Sequence, residues 1–311
     1  MVFGVGCGDD SGGDDDDCVG HLCGGDVTIA DNEGGQVIFE FIYFDTELQA
    51  AFSLPTGVTT ALRTMAYFME EQTPESNPLP QPGICNNLET TKGWPIFVGN
   101  PHVDVDVGTL TITGKKGDGS AVSIPVPKQA AGNDSINRPH DIFYQTIQPQ
   151  AENFLLPDSA YDVSFSGSAT IPATTMTGGL FLAHGMVVDD LENNGPMIGG
   201  TNFTVTWDYT PSTNLPEGAA DDVVIWLVDT NGKPTHMCPT PAAANTFTIP
   251  GSTITEYKAA ATARGTATTK VILLRNTIVH QLQRLPLAEA ENKRRIDMVS
   301  IHCWAQLMDV Q

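Results

Sequence analysis

Three residues with the chemistry of metal ligands lie at alternate positions of the segment HVDVD, namely His102, Asp104 and Asp106. Side chains at i, i+2 and i+4 of a strand project from the same face, so these three would line one face and the valines the other. Steps of about 6.6–7 Å along that face are long for a single ion, so a loop would have to close the site, and His140-Asp141 could do so. The alternative is the solvated face of a half-exposed strand, and we commit to no metal and no cofactor.

Two acidic segments also offer the carboxylate oxygens that calcium binds, Asp9–Asp17 and Asp189–Gly195. Neither has the alternate-residue spacing and final glutamate of an EF-hand loop. A solvated linker explains both segments.

One tryptophan is a candidate for ligand binding. Trp94 lies in KGWPIF beside a proline, which predicts an exposed loop, and aromatic side chains in such loops can stack on sugar rings. Trp207 and Trp226 fall within apolar strands, where core packing is expected. Isolated histidines are expected to be structural or surface residues: His184, His236, His280 and His302.

The motifs of common enzyme classes do not occur in the sequence. It contains no GxSxG, GxxxxGK[ST] or HExxH, and no GxGxxG that opens a helix. A Ser-His-Asp triad can assemble from residues that are distant in sequence, so the absence of a motif does not exclude one. No residue of the sequence, however, is indicated as a nucleophile. We therefore expect no catalytic residues, with a hydrolase or metal-dependent enzyme on a β fold as an alternative.

Composition excludes one class of partner. The 311 residues are 41% hydrophobic, which is enough to form cores, and 17% charged, with 15 Lys+Arg against 37 Asp+Glu and a net charge of −22. Phosphate backbones demand a cationic surface, so we expect no nucleic-acid partner.

The first 26 residues predict a lipid anchor followed by a disordered tether. Gly4-Val5-Gly6-Cys7 resembles the end of a bacterial lipoprotein signal, which makes Cys7 the lipidation candidate, although Gly4 replaces the usual leucine. The Gly- and Asp-rich stretch that follows repels itself and buries no surface. We therefore expect the protein to be a lipoprotein of the cell envelope, located at the outer membrane.

Six cysteines occur, at positions 7, 18, 23, 85, 238 and 303, and their spacing does not suit zinc. An oxidising envelope would permit disulfides, and we predict a bond between Cys238 and Cys303 because both lie in the C-terminal part of the chain. The alternative is two buried free thiols.

After residue 26 the chain predicts an all-β fold. Short stretches rich in valine, isoleucine, threonine and aromatic residues are separated by clusters of glycine, proline, asparagine and aspartate. The polar, glycine-rich segment 187–200 predicts a linker. We therefore expect two β-sandwich domains, an N-terminal one over 27–190 and a C-terminal one over 191–311.

The C-terminal part of the chain contains four strings in a fixed order: FTVTWDYTP, VVIWLVD, HMCPTP and TFTIPGSTI. This order resembles the immunoglobulin-like domain of uncharacterised lipoproteins from myxobacteria and their relatives. The segments GCGDD and DVGTLTITG resemble the same group. The resemblance implies that the all-β chain is an envelope-anchored protein of two immunoglobulin-like β-sandwich domains, and it implies no catalytic residues. We therefore expect a non-enzymatic structural or binding module at the bacterial surface. The first alternative is a carbohydrate-binding or adhesive protein, so an envelope glycan or a surface protein is the expected partner besides the membrane.

Overall fold

The computed structural model describes residues 34–45, 47–48, 58–70, 83–88, 103–130, 132–133, 139–151, 153–169, 171–188, 195–216, 219, 221–286 and 293–311. Most of them lie in β-strands, which confirms the predicted all-β class. The strands are, in chain order, β1 (Gly34–Phe44), β2 (Thr60–Glu70), β3 (Asn86–Asn87), β4 (Val103–Asp104), β5 (Leu110–Lys115), β6 (Ala121–Val126), β7 (Lys128–Gln129), β8 (Gly132–Asn133), β9 (Pro139–His140), β10 (Phe143–Pro149), β11 (Ser159–Phe165), β12 (Thr174–Leu182), β13 (Val187–Val188), β14 (Phe203–Asp208), β15 (Asp222–Val228), β16 (Pro234–Pro241), β17 (Thr246–Ile249), β18 (Lys270–Pro286) and β19 (Lys293–Asp309). Helix α1 (Gly251–Arg264) connects β17 to β18.

The largest sheet has ten strands and takes them from both ends of the described chain. Its order is β3-β16-β15-β18-β19-β1-β2-β10-β7, and β4 pairs with β2. β1 runs parallel to β19, from the pair Gly34↔Arg295 to the pair Phe44↔Ala305, whereas its other neighbour β2 is antiparallel. Strands from both sides of the predicted boundary at residues 190 and 191 therefore share one sheet.

The hairpin of β18 and β19 forms the middle of this sheet. Each strand is 17 residues long. Side chains alternate between the two faces, and apolar ones are buried on both, with Leu273 on one face and Ile272 on the other. A strand that is buried on both faces reads as a nearly continuous apolar run, which fits the sequence KVILL at the start of β18.

The first hydrophobic core lies between the ten-stranded sheet and a four-stranded sheet of order β12-β11-β5-β6. Phe39, Phe41 and Leu62 enter it from the large sheet, and Ile112 and Val163 enter it from the smaller one. All five side chains are at most 1% exposed. The burial pattern of β6, in which alternate residues are exposed and buried, is that of a strand with one wet face.

A second core lies over the β15–β18 part of the same sheet. It is covered by a three-stranded sheet, β13-β14-β17, and by α1. Trp207, Ile225, Tyr257 and Leu273 meet there. The two cores are therefore separate clusters of side chains that use different parts of one sheet.

Helix α1 was not predicted from the sequence. The extended residue Pro250 precedes it, and Gly265 ends it in the left-handed conformation, with φ of 68°. Ile254, Tyr257 and Ala261 are spaced to lie on one face, which is buried in the second core. None of the helices in the described ranges has the length and apolar character needed to cross a membrane.

The predicted disulfide between Cys238 and Cys303 is wrong. Cys238 is bonded to Cys85, 153 residues away in sequence, and Cys303 is a buried free thiol. Cys238 lies in β16, three strands away from β19, which corresponds to about 14 Å at normal strand spacing. The two residues also face opposite sides of the sheet, since Cys238 lies in the second core and Cys303 in the cluster on the other face.

Candidate functional site

A cavity of about 250 Å³ lies beside the first core, where β1 and β19 run next to each other. Phe41 and Tyr43 of β1 line it together with His302 of β19. The parallel register places Phe41 beside His302 and Tyr43 beside Trp304, so the four rings share one face of the sheet. Among the described residues, no Asp, Glu, Lys or Arg lines this cavity.

The rings pack in an ordered way. Tyr43 stacks on Trp304 with centroids 5.4 Å apart and an interplanar angle of 14°. Phe41 packs in a T-shaped arrangement with both Tyr43 and His302, with centroids 5.3 and 5.8 Å apart. Tyr43 and Trp304 are half-buried, whereas Phe41 is only 1% exposed. The aromatic wall thus extends from the protein interior to the surface.

The opposite wall is formed by Gly117 and by four loop residues, Asn153, Leu155, Leu156 and Pro157. The N–H of Gly117 donates to the carbonyl of Asn153 at 3.1 Å, and a Cβ at position 117 would lie 2.3 Å from that same oxygen. Glycine is therefore required for this close approach. The Tyr161 hydroxyl lies 2.9 Å from the carbonyls of Lys115 and Leu156, so it fixes the loop to β5.

Two polar side chains line the cavity, the exposed Asn153 and the buried His302, which is 7% exposed. Its Nδ1 lies 3.1 Å from the carbonyl oxygen of Ala183, which can only accept, so Nδ1 carries the hydrogen. Burial lowers the pKa of His302 to about 4, and the neighbouring His184 contributes in the same direction. At neutral pH the ring is therefore uncharged and its Nε2 is an acceptor.

The Nε2 atom of His302 is buried and has no hydrogen-bond partner in the part of the chain that the structure describes. An unsatisfied buried acceptor costs about 1–3 kcal/mol, so it is retained at the expense of stability. The arrangement suits noncovalent binding of a small uncharged molecule.

The carboxylates of the two described metal candidates, Asp104 and Asp106, are bound by other groups of the protein. Asp106 accepts hydrogen bonds from the Gly108 N–H and the Tyr144 hydroxyl, both at 2.8 Å, and forms an ion pair of 2.7 Å with Lys128. These contacts, led by the Lys128 hydrogen bond, lower the pKa of Asp106. Its carboxylate is therefore used within the fold.

Asp104 is also held by the protein itself. Its Oδ2 accepts from the backbone N–H of Asp141 and, at 3.2 Å, from that of Ile142. The loop we predicted to close a metal site thus reaches Asp104 through its backbone. His102 lies outside the described residues, within which no cluster of three or more His, Cys, Asp or Glu side chains is placed to hold a metal.

The remaining candidates fall into two groups. Cys7 and Trp94 lie outside the described residues. Trp207 packs in the second core as expected, and its Nε1 donates to the Ala242 carbonyl at 2.9 Å. His236 is buried, with Nε2 3.3 Å from a carboxylate oxygen of Glu256.

From the sequence, His302 was expected to be a structural or surface residue, and Phe41 and Tyr43 were not singled out. A signal was present, because FEFIYF places Phe39, Phe41 and Tyr43 at alternate positions and hence on one face. What the sequence could not supply is the parallel register that brings His302 beside them across 261 residues, from position 41 to position 302.

A larger depression, of about 580 Å³, lies on the outer face of the four-stranded sheet and is lined by residues such as Thr113, Ser123 and Asp162. It is wide open to solvent. The Asp162 carboxylate accepts from the Gly178 N–H at 2.8 Å, so it too has a structural role. We regard the smaller cavity at His302 as the better candidate, since it is more enclosed and is lined by aromatic side chains.

Comparison of the chain with protein-family models, with curated proteins and with solved structures finds no match.

Proposed function

We propose that this protein is a non-enzymatic binding module of the bacterial cell envelope, anchored by a lipid on Cys7 and extended outward on the acidic tether of residues 1–26. The observation that carries the binding function is the cavity between Phe41, Tyr43 and His302. It combines apolar and aromatic walls with two polar side chains, His302 and Asn153, which is the usual composition of a small-molecule site. An envelope glycan or a surface protein remains the proposed partner for a structural or adhesive role.

The envelope location rests on two features. The sequence GVGCG resembles the end of a lipoprotein signal, and the acidic stretch after it would keep the folded part away from anionic lipid by repulsion. The bond between Cys85 and Cys238 supports an oxidising compartment, because such bonds are rare where cellular thiols are kept reduced. The resemblance to myxobacterial lipoproteins points to the outer membrane.

The proposed architecture is a pair of immunoglobulin-like sandwich units, 27–190 and 191–311. Its support is the pair of separate cores, one under the four-stranded sheet and one under the three-stranded sheet. In this proposal the two units meet in the shared ten-stranded sheet.

A specific observation favours carbohydrate binding as a second candidate. The half-buried pair Tyr43 and Trp304 is stacked at 5.4 Å and forms the outer part of the aromatic wall. Half-buried aromatic rings are common platforms for sugars. Trp94 remains a further candidate for this role.

The binding function is tested with the full chain carrying Cys7→Ser, which removes the proposed lipid. Binding of envelope glycans, peptidoglycan fragments and small uncharged ring compounds is measured by calorimetry. We expect at least one to bind, and Tyr43→Ala to weaken it at least tenfold. The matched control is Phe154→Ala, which removes a half-buried ring outside the cavity lining. Absence of binding across the whole panel would exclude the proposed function.

The anchor is tested in the native host. Wild-type protein should partition into detergent and Cys7→Ser into the aqueous phase, because several acyl chains on one cysteine anchor far more firmly than a single chain. Equal partitioning of the two proteins would exclude the anchor.

A further inference from the structure

Residues 83–88 cover one edge of the ten-stranded sheet, and we call them the edge strap. Within the strap, β3 pairs with β16 through only two residue pairs, His236↔Asn87 and Met237↔Asn86. On its other side β16 pairs with β15, so among the described strands only the strap covers the outer edge of β16. Without the strap, β16 would be the edge strand of the sheet.

The strap is held to β16 by few noncovalent contacts. Besides the two residue pairs, three hydrogen bonds reach carbonyl groups of β16: from the N–H of Gly83 to Pro239 at 2.8 Å, from the N–H of Leu88 to Thr235 at 2.9 Å, and from the Asn86 amide to Met237 at 3.3 Å. The Ile84 side chain is 51% exposed, so it adds little apolar burial. Ordering a segment of this length costs more conformational entropy than a few net hydrogen bonds return.

A covalent bond supplies what these contacts lack. The disulfide between Cys85 and Cys238 joins the middle of the strap to the middle of β16. It holds the two segments together whether or not the hydrogen bonds are made. The closed position of the strap therefore depends on the oxidised state of this pair.

The outer edge of β16 has an unusual set of backbone groups. The carbonyls of Thr235 and Pro239 accept from the strap, so the odd-numbered residues of β16 direct their backbone groups outward and the even-numbered ones face β15. Pro239 and Pro241 have no N–H to donate. The outward donors of β16 are therefore those of Thr235 and Met237.

A second copy of β16 matches this set of groups. In an antiparallel pair with a two-fold axis at Met237, the two Met237 residues exchange both of their hydrogen bonds. Thr235 of each copy then lies opposite Pro239 of the other, where its N–H donates to a carbonyl and a proline N–H is not needed. Both outward donors of each copy are satisfied in this pairing. A strand without such symmetry would place donors and acceptors opposite the prolines that cannot answer them.

We propose that the edge strap is a redox-sensitive closure: reduction of the bond between Cys85 and Cys238 frees the strap, and the exposed edge of β16 then pairs with β16 of a second copy. The strap and the second copy compete for the same carbonyl groups, those of Thr235, Met237 and Pro239. This inference goes beyond the proposed binding function and does not rest on it.

The reductant is a dithiol, and the exchange balances with it alone. Cys85 is half-buried and Cys238 is fully buried, so one thiolate of the dithiol attacks Sγ of Cys85. The bond between the two protein sulfurs breaks, and Cys238 takes up a proton. The second thiol of the reagent then attacks the mixed disulfide and releases Cys85. The protein gains two thiols, and the dithiol is oxidised to its cyclic disulfide.

The first test is the oligomeric state, measured by sedimentation velocity on the full chain with Cys7, Cys18 and Cys23 replaced by serine. The oxidised protein should be a monomer. Dithiothreitol should double its apparent mass, increasingly so at higher protein concentration. Cys85→Ser should form the same dimer without reductant, whereas the matched control Cys303→Ala should remain a monomer until it is reduced, because Cys303 is a free thiol away from the strap.

Hydrogen exchange at single amides locates the change. The N–H groups of Gly83 and Leu88 should be protected in the oxidised protein and exchange rapidly after reduction. The N–H of Met237 should exchange rapidly only in dilute reduced protein, since either the strap or the second copy covers it otherwise. The N–H groups of His236 and Cys238 face β15 and are the controls, which should stay protected throughout.

Each contrary result overturns a stated part of the inference. Slow exchange at Gly83 and Leu88 after reduction would show that the strap does not depend on the disulfide. A reduced protein that stays monomeric, or that forms larger assemblies, would overturn the two-fold pairing. Loss of protection at His236 and Cys238 would show general unfolding in place of strap release. Ligand binding at the His302 cavity is measured separately on the oxidised monomer, so failure of the proposed function is distinguished from failure of the closure.

Discussion

Tyr144 and Asp106 are joined by a hydrogen bond of 2.8 Å from the phenolic hydroxyl to the carboxylate oxygen Oδ1. The same hydroxyl accepts the backbone N–H of Val107 at 3.0 Å. Tyr144 lies in β10, and Asp106 and Val107 lie in the connection from β4 to β5. One fully buried side chain therefore fixes the segment for which a metal site had been considered.

We expect Tyr144→Phe to lower the free energy of unfolding by about 1–3 kcal/mol, because the Val107 N–H loses its partner in a buried position. The measurement is urea denaturation at pH 7. Lys128→Met provides the contrast, since it removes an exposed ion pair to the same carboxylate and should change the stability by less than about 1 kcal/mol. A larger effect for Lys128→Met than for Tyr144→Phe would show that the ion pair fixes the segment.

Two glycines with the same backbone conformation should respond differently to alanine. Gly108 and Gly119 both have φ of 83°. A Cβ at position 108 would lie 2.2 Å from the carbonyl oxygen of Gly167, whereas one at position 119 would have no neighbour within 4 Å. Gly119→Ala should therefore lose only the left-handed conformational preference, about 1–2 kcal/mol, and Gly108→Ala should lose more. Thermal or urea unfolding of the two variants measures the difference, and equal losses would contradict the close approach.

The bond between Cys85 and Cys238 should stabilise the fold by about 2–5 kcal/mol, because it closes a long loop in the unfolded chain. The test is urea denaturation with and without a reductant, in a background in which Cys7, Cys18 and Cys23 are serine. Reductant should destabilise this protein and its Cys303→Ala variant, but not Cys85→Ala. Resistance of the parent protein to reductant, or a linked peptide that contains Cys303, would contradict the pairing.

Asp222 should make the protein less stable as the pH rises. Burial, with a smaller contribution from the nearby Asp221, raises the pKa of Asp222 from 3.8 to about 7. Between these values the folded protein retains a proton that the unfolded chain has lost, so the free energy of unfolding decreases from about pH 4 to about pH 7. The decrease from this residue is at most about 4 kcal/mol.

Asp222→Asn cannot titrate, so its stability relative to wild type should increase across that window. Urea denaturation at pH 5 and pH 8 provides the comparison. Asp208→Asn, an exposed aspartate at the end of β14, is the control and should change the stability by less than about 0.5 kcal/mol at either pH. A constant difference between Asp222→Asn and wild type at the two pH values would show that Asp222 titrates normally.

The local secondary structure of this protein could be predicted better than the pairing of its strands. The bounds of β6 and β17 agree with the sequence pattern, since AVSIPV alternates and TFTI is a short β-branched stretch. Helix α1 was missed because its alanines and threonines give little amphipathic contrast. The sequence nevertheless contains residues that are typical of helix boundaries, Pro250 before the helix and Gly265 after it.

The candidate site could be predicted only in part. Alternation in FEFIYF places the aromatic rings on one face, but the partner strand cannot be read from that pattern. The pairing of Cys85 with Cys238 has the same difficulty, because β3 joins the sheet edge through only two residue pairs. Contacts across long sequence separations depend on the whole fold and leave no local pattern.

The parallel pairing of β1 with β19 has a consequence for how the chain is made. Their residues lie about 260 positions apart, and contacts of such high contact order form slowly. During synthesis, β1 and β2 emerge long before β19 is available, so β1 presents an open edge with apolar side chains on both faces. Such an edge is a template for aggregation. We therefore expect the nascent chain to need protection of this edge until the β18–β19 hairpin has been made.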